Sequence, residues 1–279
     1  MPKAVLVTKA NGEQEPFDPA KLVQSLERAG AKPKVVNEVL RGVRATLTPG
    51  IATHEIYRRA FELLRTFEKP VAARYSLKRA VLALGPSGFP FEDYVGEIFR
   101  ARGFTVASRQ MLPGSCVEHE VDLVAYSPSK YLIGEIKFHN QLGLKSDLKI
   151  ALYVHARVED IRKFREKRGE RRIDEGWLIT NTKFTKAAIT FANCSGLKLV
   201  SWTYPRYGNL QDLIEEAQAH PLTCLTSLNG SEKARLMQAG IVLCKNLEER
   251  QAELPQLGIP QGKIRRVLEE AQAVCASHF

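Results

Sequence analysis

The sequence predicts an α/β multidomain protein in three parts. Residues 1–85 begin with a strand-like pair and continue with apolar residues at helical spacing, which indicates a small, mostly helical domain. Residues 86–220 alternate strand-like and helix-like segments, the pattern of an α/β core. Residues 221–279 hold helical segments separated by Gly- and Pro-containing breaks, which predicts a small all-α C-terminal domain. We expect the three domains to follow these boundaries.

Length and composition narrow the class of protein. A chain of 279 residues with 44% hydrophobic residues can bury two or three ordinary cores. No stretch approaches the apolar length of a membrane span, and the first residues lack the apolar core of a signal peptide, so we expect no membrane association and a cytoplasmic location. The five cysteines are odd in number and widely spaced, which indicates neither a disulfide framework nor a zinc site.

Most of the excess positive charge lies in the N-terminal domain. The formal net charge is +10, and residues 1–85 contribute 15 Lys and Arg against 8 Asp and Glu. The middle segment is nearly balanced, with 19 against 17. Anion binding by the N-terminal domain is therefore at least as well supported as a nucleic-acid groove in the middle of the chain.

Capping and turn signals organise the N-terminal domain. Asn11-Gly12 predicts a hairpin turn between strands at residues 4–8 and 15–17. Asp18 is the predicted N-cap of the first helix, and further helices follow near residues 35, 53 and 71, the second of these capped by Thr53.

This domain resembles the ATP-cone, the regulatory nucleotide-binding module of ribonucleotide reductases and of the regulator of their genes. The matching stretches are residues 5–9, 11–12, 17–18, 21, 50–53 and 72–75. The resemblance implies that ATP or dATP is a regulatory ligand contacted by Val7, Lys9, Glu15, Asp18, Lys21 and Thr53. Lys9 and Lys21 suit a triphosphate by charge, and the alternative is that both are exposed solubilising charges.

The α/β core centres on residues 117–140, which predict a β-hairpin with a polar turn at residues 127–130. Because side chains alternate along a strand, Glu135 and Lys137 share one face of the second strand. Asp122 lies on the first strand. We therefore expect two carboxylates and one ammonium group to converge.

Such a trio is suited to phosphodiester hydrolysis. Asp122 and Glu135 can hold Mg²⁺ or Mn²⁺ through oxygen ligands, which leaves positions for water and a phosphate oxygen. The cation makes hydroxide accessible near neutral pH, while Lys137 can orient the water or the phosphate. The alternative is a solvated cluster of surface ion pairs, which contributes little energy.

The order of motifs resembles the PD-(D/E)xK restriction-endonuclease fold, in particular its Mrr-like branch. The matching pieces are Phe91-Glu92 at a helix start, residues 102–106 entering a strand, Asp122, Glu135-x-Lys137 and residues 180–188. The resemblance implies a central mixed sheet, a metal-dependent endonuclease acting on DNA, and an active site of Glu92, Asp122, Glu135 and Lys137. The three carboxylates are the implied metal ligands.

The remaining expectations concern partners. Cleavage of both strands of a duplex requires two sites, so we expect a homodimer or higher homo-oligomer. An alternative function is a nucleotide-sensing nucleic-acid-binding protein whose nuclease fold does not cut.

His139 is an accessory candidate near the site, with a structural role as the alternative. The C-terminal helices faintly resemble helix-hairpin-helix modules, and dimerisation is equally well supported.

Overall fold

The computed structural model describes residues 5–85, 88–141 and 143–276. The predicted first strand residue Ala4, the predicted domain boundary at residue 86 and the last three residues of the C-terminal domain lie outside the described residues. No helix in the described ranges is long and apolar enough to cross a membrane.

One compact unit contains the described residues up to 80 together with residues 224–239 and 244–276. Its N-terminal elements are β1 (Leu6–Thr8), β2 (Gln14–Pro16), α1 (Pro19–Arg28), α2 (Pro33–Arg44), β3 (Ile51–Ala52), α3 (Thr53–Phe67), α4 (Lys69–Tyr75) and α5 (Leu77–Leu82). β1 pairs antiparallel with β2 and parallel with β3. The short N-terminal strand pair and the mostly helical character of this part confirm the prediction.

The first helix of this part begins as its sequence predicts, whereas two other predicted helices differ from the observed ones. The Asp18 side chain accepts a hydrogen bond from the Ala20 amide at 2.9 Å and caps α1 as predicted. Thr53 does not cap α3, because Ala52 occupies the N-cap position and Thr53 is the first helical residue. The predicted helix near residue 71 is divided at Ser76 into α4 and α5.

The second compact unit contains the described part of residues 81–223 and residues 240–243. Its elements are α6 (Phe89–Ala101), β4 (Thr105–Pro113), β5 (Glu118–Tyr126), β6 (Tyr131–Lys137), β7 (Lys145–Ser146), α7 (Leu148–Lys167), β8 (Glu175–Thr180), β9 (Lys183–Phe184), α8 (Lys186–Ser195), β10 (Lys198–Val200) and α9 (Leu210–Glu216). The five-stranded sheet has the order β10-β8-β6-β5-β4. β4, β5 and β6 are antiparallel, while β6, β8 and β10 are parallel, which confirms a central mixed sheet.

The two faces of this sheet are covered by different helices. Ile133, Leu178 and residues of α7 and α8 form one buried cluster. On the other face Phe99 of α6 lies 5.4 Å from Trp177, measured between ring centroids. Because residues alternate along β6, Glu135 has the same orientation as Ile133 and points toward the α7 face.

The C-terminal helices belong to the first compact unit. They are α10 (Gly230–Gln238), α11 (Asn246–Glu249) and α12 (Gln261–Cys275), and α12 packs against α4 and α11. Arg74 of α4 links the two parts of this unit, because its guanidinium donates to the carbonyl oxygens of Ala29 and Ala273, both at 2.9 Å. The division of the chain at residue 220 into a separate third domain stays a prediction.

Candidate functional site

Asp122 and Glu135 stand side by side on the antiparallel strands β5 and β6. Asp122 Oδ2 accepts a hydrogen bond of 2.7 Å from the Ile136 amide, which fixes its carboxylate between the strands. Burial and then the negative charge of Glu135 raise the pKa of Asp122 to about 6. The site therefore holds two acids close enough for one to oppose ionisation of the other.

Two cations neutralise Glu135, which is 5% exposed. Lys137 Nζ lies 2.8 Å from Glu135 Oε1, so the predicted meeting of these two side chains is present. Arg157 of α7 donates through Nη1 to Glu135 Oε2 and through Nη2 to the Tyr153 hydroxyl. The Arg157 side chain is 10% exposed, and its Nε atom is buried without a hydrogen-bond partner among the described residues. A buried carboxylate requires such compensation.

Glu92 approaches from a different element. It lies in the first turn of α6, which covers the sheet face opposite to Glu135, and its Oε2 is 3.3 Å from Arg109 Nη1. The same guanidinium is 2.9 Å from Asp93 Oδ1. Burial raises the pKa of Glu92, and the hydrogen bond from Arg109 opposes that rise. Arg109 has φ of 51°, a left-handed conformation that is strained for a residue with a side chain.

The donor set suits a hard divalent cation bound by two carboxylates. Asp122 and Glu135 offer oxygen ligands, and Mg²⁺ is commonly held by one or two carboxylates while water and phosphate complete its shell. Within residues 5–85, 88–141 and 143–276, no group of three or more His, Cys, Asp and Glu side chains is arranged to hold a metal ion. Glu92 is not part of such a group, although its negative charge contributes to the raised pKa of Asp122. Its role as a third metal ligand stays a prediction.

His139 has a structural environment. Its Nε2 lies 3.1 Å from Ser146 Oγ, and burial, followed by the charge of Lys137, lowers its pKa. The Asn181 side chain binds both the amide and the carbonyl of His139 at 2.8 Å. These contacts anchor the end of β6 to the end of β8.

In the N-terminal part, Glu15 joins the two predicted phosphate-binding lysines. Lys9 Nζ lies 2.8 Å from Glu15 Oε2, and Lys21 Nζ lies 3.1 Å from Glu15 Oε1. Hydrogen bonds from Lys9 and then from Lys21 lower the pKa of Glu15. Thr53 follows β3, whose Ala52 is paired with Thr8, and this places Thr53 beside Lys9.

Two further predicted nucleotide ligands have structural roles. Val7 is 3% exposed and belongs to the hydrophobic core, so its contact with a nucleotide stays a prediction. Asp18 is engaged as the cap of α1. In the predicted hairpin turn, the Gly12 amide donates to the Lys9 carbonyl at 3.0 Å.

Comparisons with known proteins agree with this architecture. The sequence matches family models described as ATP cone domain over residues 5–81, restriction endonuclease over residues 85–203, and AF1548-like, C-terminal, over residues 220–275. An uncharacterised protein of Archaeoglobus fulgidus is 33% identical over 181 residues, which are 64% of this chain and 99% of that protein. The chain belongs to the AF1548-like family.

A solved structure agrees with that assignment. The sequence of AF1548, whose crystal structure is described as that of a protein of unknown function, is 31% identical to the sequence of the present protein. The two structures superpose with a TM-score of 0.54. The match covers 70% of this chain and 98% of that one. The AF1548-like chain thus carries an ATP-cone domain and a restriction endonuclease-like domain, as its motifs indicated.

Arg157 and Arg109 are candidate functional residues of this AF1548-like protein that the motifs did not indicate. Arg157 lies within a helix rich in basic residues, and its sequence context does not distinguish it from the exposed arginines that follow. Arg157 follows Tyr153 by four residues, which puts both on the same helix face. This spacing is the sequence signal that indicates a contact between them. Arg109 lies inside an ordinary strand, and its left-handed backbone leaves no trace in the sequence.

Proposed function

We propose that this AF1548-like protein is a divalent-metal-dependent endonuclease that hydrolyses phosphodiester bonds of DNA and responds to adenine nucleotide. The observation that carries the proposal is the pair of Asp122 and Glu135 on adjacent strands, with Lys137 beside it. Its location in a restriction endonuclease-like domain supports the same reaction class.

Each residue of the site has a separate role in the proposed reaction. Asp122 and Glu135 would hold the divalent cation, which would supply Lewis acidity and activate a water molecule near neutral pH. Asp122 is ionised above its raised pKa of about 6, so it can act as a ligand at neutral pH. Arg157 holds the Glu135 carboxylate in place, and Lys137 orients the attacking water or stabilises the charge on the phosphate.

The ATP-cone domain supports regulation by nucleotide. Glu15 already gathers Lys9 and Lys21 within ion-pair distance. A triphosphate carries more charge than one carboxylate and competes with Glu15 for both ammonium groups. We expect binding of ATP or dATP to shift the assembly of the protein and thereby the access of DNA to a homodimeric pair of sites.

The test is a cleavage assay with purified protein. Plasmid, linear duplex, single-stranded DNA and RNA are incubated with Mg²⁺ or Mn²⁺, each with and without ATP and dATP. The wild type is expected to cut, whereas Asp122→Ala and Lys137→Ala are inactive. Glu118→Ala is the matched control, because Glu118 is an exposed carboxylate on the same strand as Asp122. Equal products from the wild type and both site variants would overturn the proposed activity.

One observation favours a second candidate, a nucleotide-sensing protein that binds nucleic acid without cutting it. Both oxygens of Glu135 already have a cationic partner, Lys137 on one side and Arg157 on the other. A metal must share these oxygens with the two cations. Nucleic-acid binding by the wild type without cleavage under any of the metal conditions would support this candidate.

A further inference from the structure

A second cationic feature lies beyond the acidic site, at the carboxyl ends of β6 and β8. There β7 and β9 form a parallel two-stranded sheet in which Lys145 is paired with Lys183 and Ser146 with Phe184. Ser146 and Phe184 are buried, at 0% and 6% exposure, whereas both lysines are exposed. Because side chains alternate along a strand, the two lysines project from the same outer face.

Two ammonium groups in paired positions of adjacent strands are expected to repel each other. Adjacent strands lie about 4.7–4.9 Å apart, and like charges in opposite positions are destabilising. Within the described ranges, neither Lys145 nor Lys183 has an Asp or Glu partner, whereas Lys130 and Lys263 each have one. An anion placed between the two side chains would offset the repulsion.

The lysine pair is connected closely to the acidic site. Thr180 is paired with Lys137 in the central sheet, and Lys183 follows Thr180 by three residues, a span of about 10 Å at most. On the other side, the hydrogen bond between His139 Nε2 and Ser146 Oγ ties β7 to the end of β6. Both lysines therefore lie at the carboxyl end of the central sheet strands, as does Lys137.

We propose that Lys145 and Lys183 form a phosphate clamp that holds the backbone of the strand cut at Asp122 and Glu135. The identity of that strand rests on the proposed nuclease function. Because Lys183 follows by three residues the strand position that is paired with Lys137, the clamp would hold phosphates of the same strand close to the scissile bond. Ammonium groups that contact phosphates read no bases, and the clamp acts equally on all sequences.

Binding is measured separately from cleavage, on the non-cutting Asp122→Asn protein without divalent metal. Fluorescence anisotropy follows two labelled duplexes of unrelated sequence between about 50 and 200 mM NaCl. Lys145→Gln/Lys183→Gln is compared with Lys198→Gln, in which the replaced lysine is exposed on the edge strand β10. We expect the double variant to weaken binding to both duplexes and to reduce the slope of log affinity against log salt by about 2, one for each lysine. The control is expected to retain the parent slope.

Melting temperature separates a lost contact from a lost fold. Removal of the repulsion is expected to leave the melting temperature of the double variant equal to that of the parent or higher. If the melting temperature of the double variant falls, the single variant Lys145→Gln is measured instead, provided that it melts at the same temperature as the parent. A salt slope that the single variant reduces by about 1 supports the clamp. An unchanged slope, or a parent that binds neither duplex, overturns it. Inactivity of the wild type in the cleavage assay, with the slope change present, would refute the nuclease function and retain the clamp.

Discussion

Replacement of Asp122 by Asn is expected to stabilise the metal-free protein above pH 7 while it abolishes metal-dependent cleavage. The change keeps the shape of the side chain and an oxygen that can accept the Ile136 amide. It removes the negative charge that faces the buried Glu135. A functional site that buries two neighbouring acids without a bound metal ion costs folding free energy, and this substitution measures that cost.

The magnitude follows from the pKa of Asp122. A rise from 3.8 to about 6 corresponds to about 3 kcal/mol at 1.36 kcal/mol per pH unit. Asp122 is partly exposed, and solvent screening reduces the expected gain to about 1–2 kcal/mol. Because the folded pKa is raised, the cost is nearly absent below about pH 4, grows as the pH rises toward 6, and is complete above pH 7.

Urea denaturation in EDTA at pH 4 and pH 8 measures this difference. The Asp122→Asn protein is expected to unfold at higher urea than the wild type at pH 8 and at nearly the same concentration at pH 4. Glu118→Gln, which neutralises an exposed carboxylate on the same strand, is expected to change neither. Equal stabilities of wild type and variant at pH 8, or the same gain at both pH values, would refute the reasoning.

Three further predictions concern packing and charge. Arg157→Met leaves the buried carboxylate of β6 with one cation and is expected to cost about 3 kcal/mol in urea denaturation; a loss below about 1 kcal/mol would contradict this. Gly176→Ala places a Cβ atom 2.7 Å from a valine methyl of α7 and is expected to cost about 1–3 kcal/mol, whereas Gly262→Ala, with open space around its Cβ, leaves stability unchanged or higher. Lys9→Ala and Lys21→Ala are each expected to weaken ATP binding about tenfold by calorimetry, and an unchanged affinity would exclude the proposed nucleotide pocket.

Local signals predicted the elements that depend on local interactions. The 117–140 hairpin closes as expected, with the Ser127 amide donating to the Lys130 carbonyl at 2.7 Å, and Asp18 caps α1. Residues 102–106 indicate only the entry into the first core strand, because β4 continues to Pro113 through exposed polar residues that lack an alternating apolar pattern. Pairing with β5, rather than propensity, keeps that segment extended.

The amino-acid sequence by itself determined the order of domains, the hairpin, and the meeting of Glu135 with Lys137, because strand alternation and motif order are local properties of a chain. Tertiary structure alone decided which cations complete the site. Arg157 reaches Glu135 across 22 residues of sequence, since the packing of α7 on the sheet sets which side of that helix faces β6. The placement of Glu92 depends on the packing of α6 against the other face of the sheet. The approach of Lys145 to Lys183 depends on strand pairing between distant segments, which no local pattern encodes.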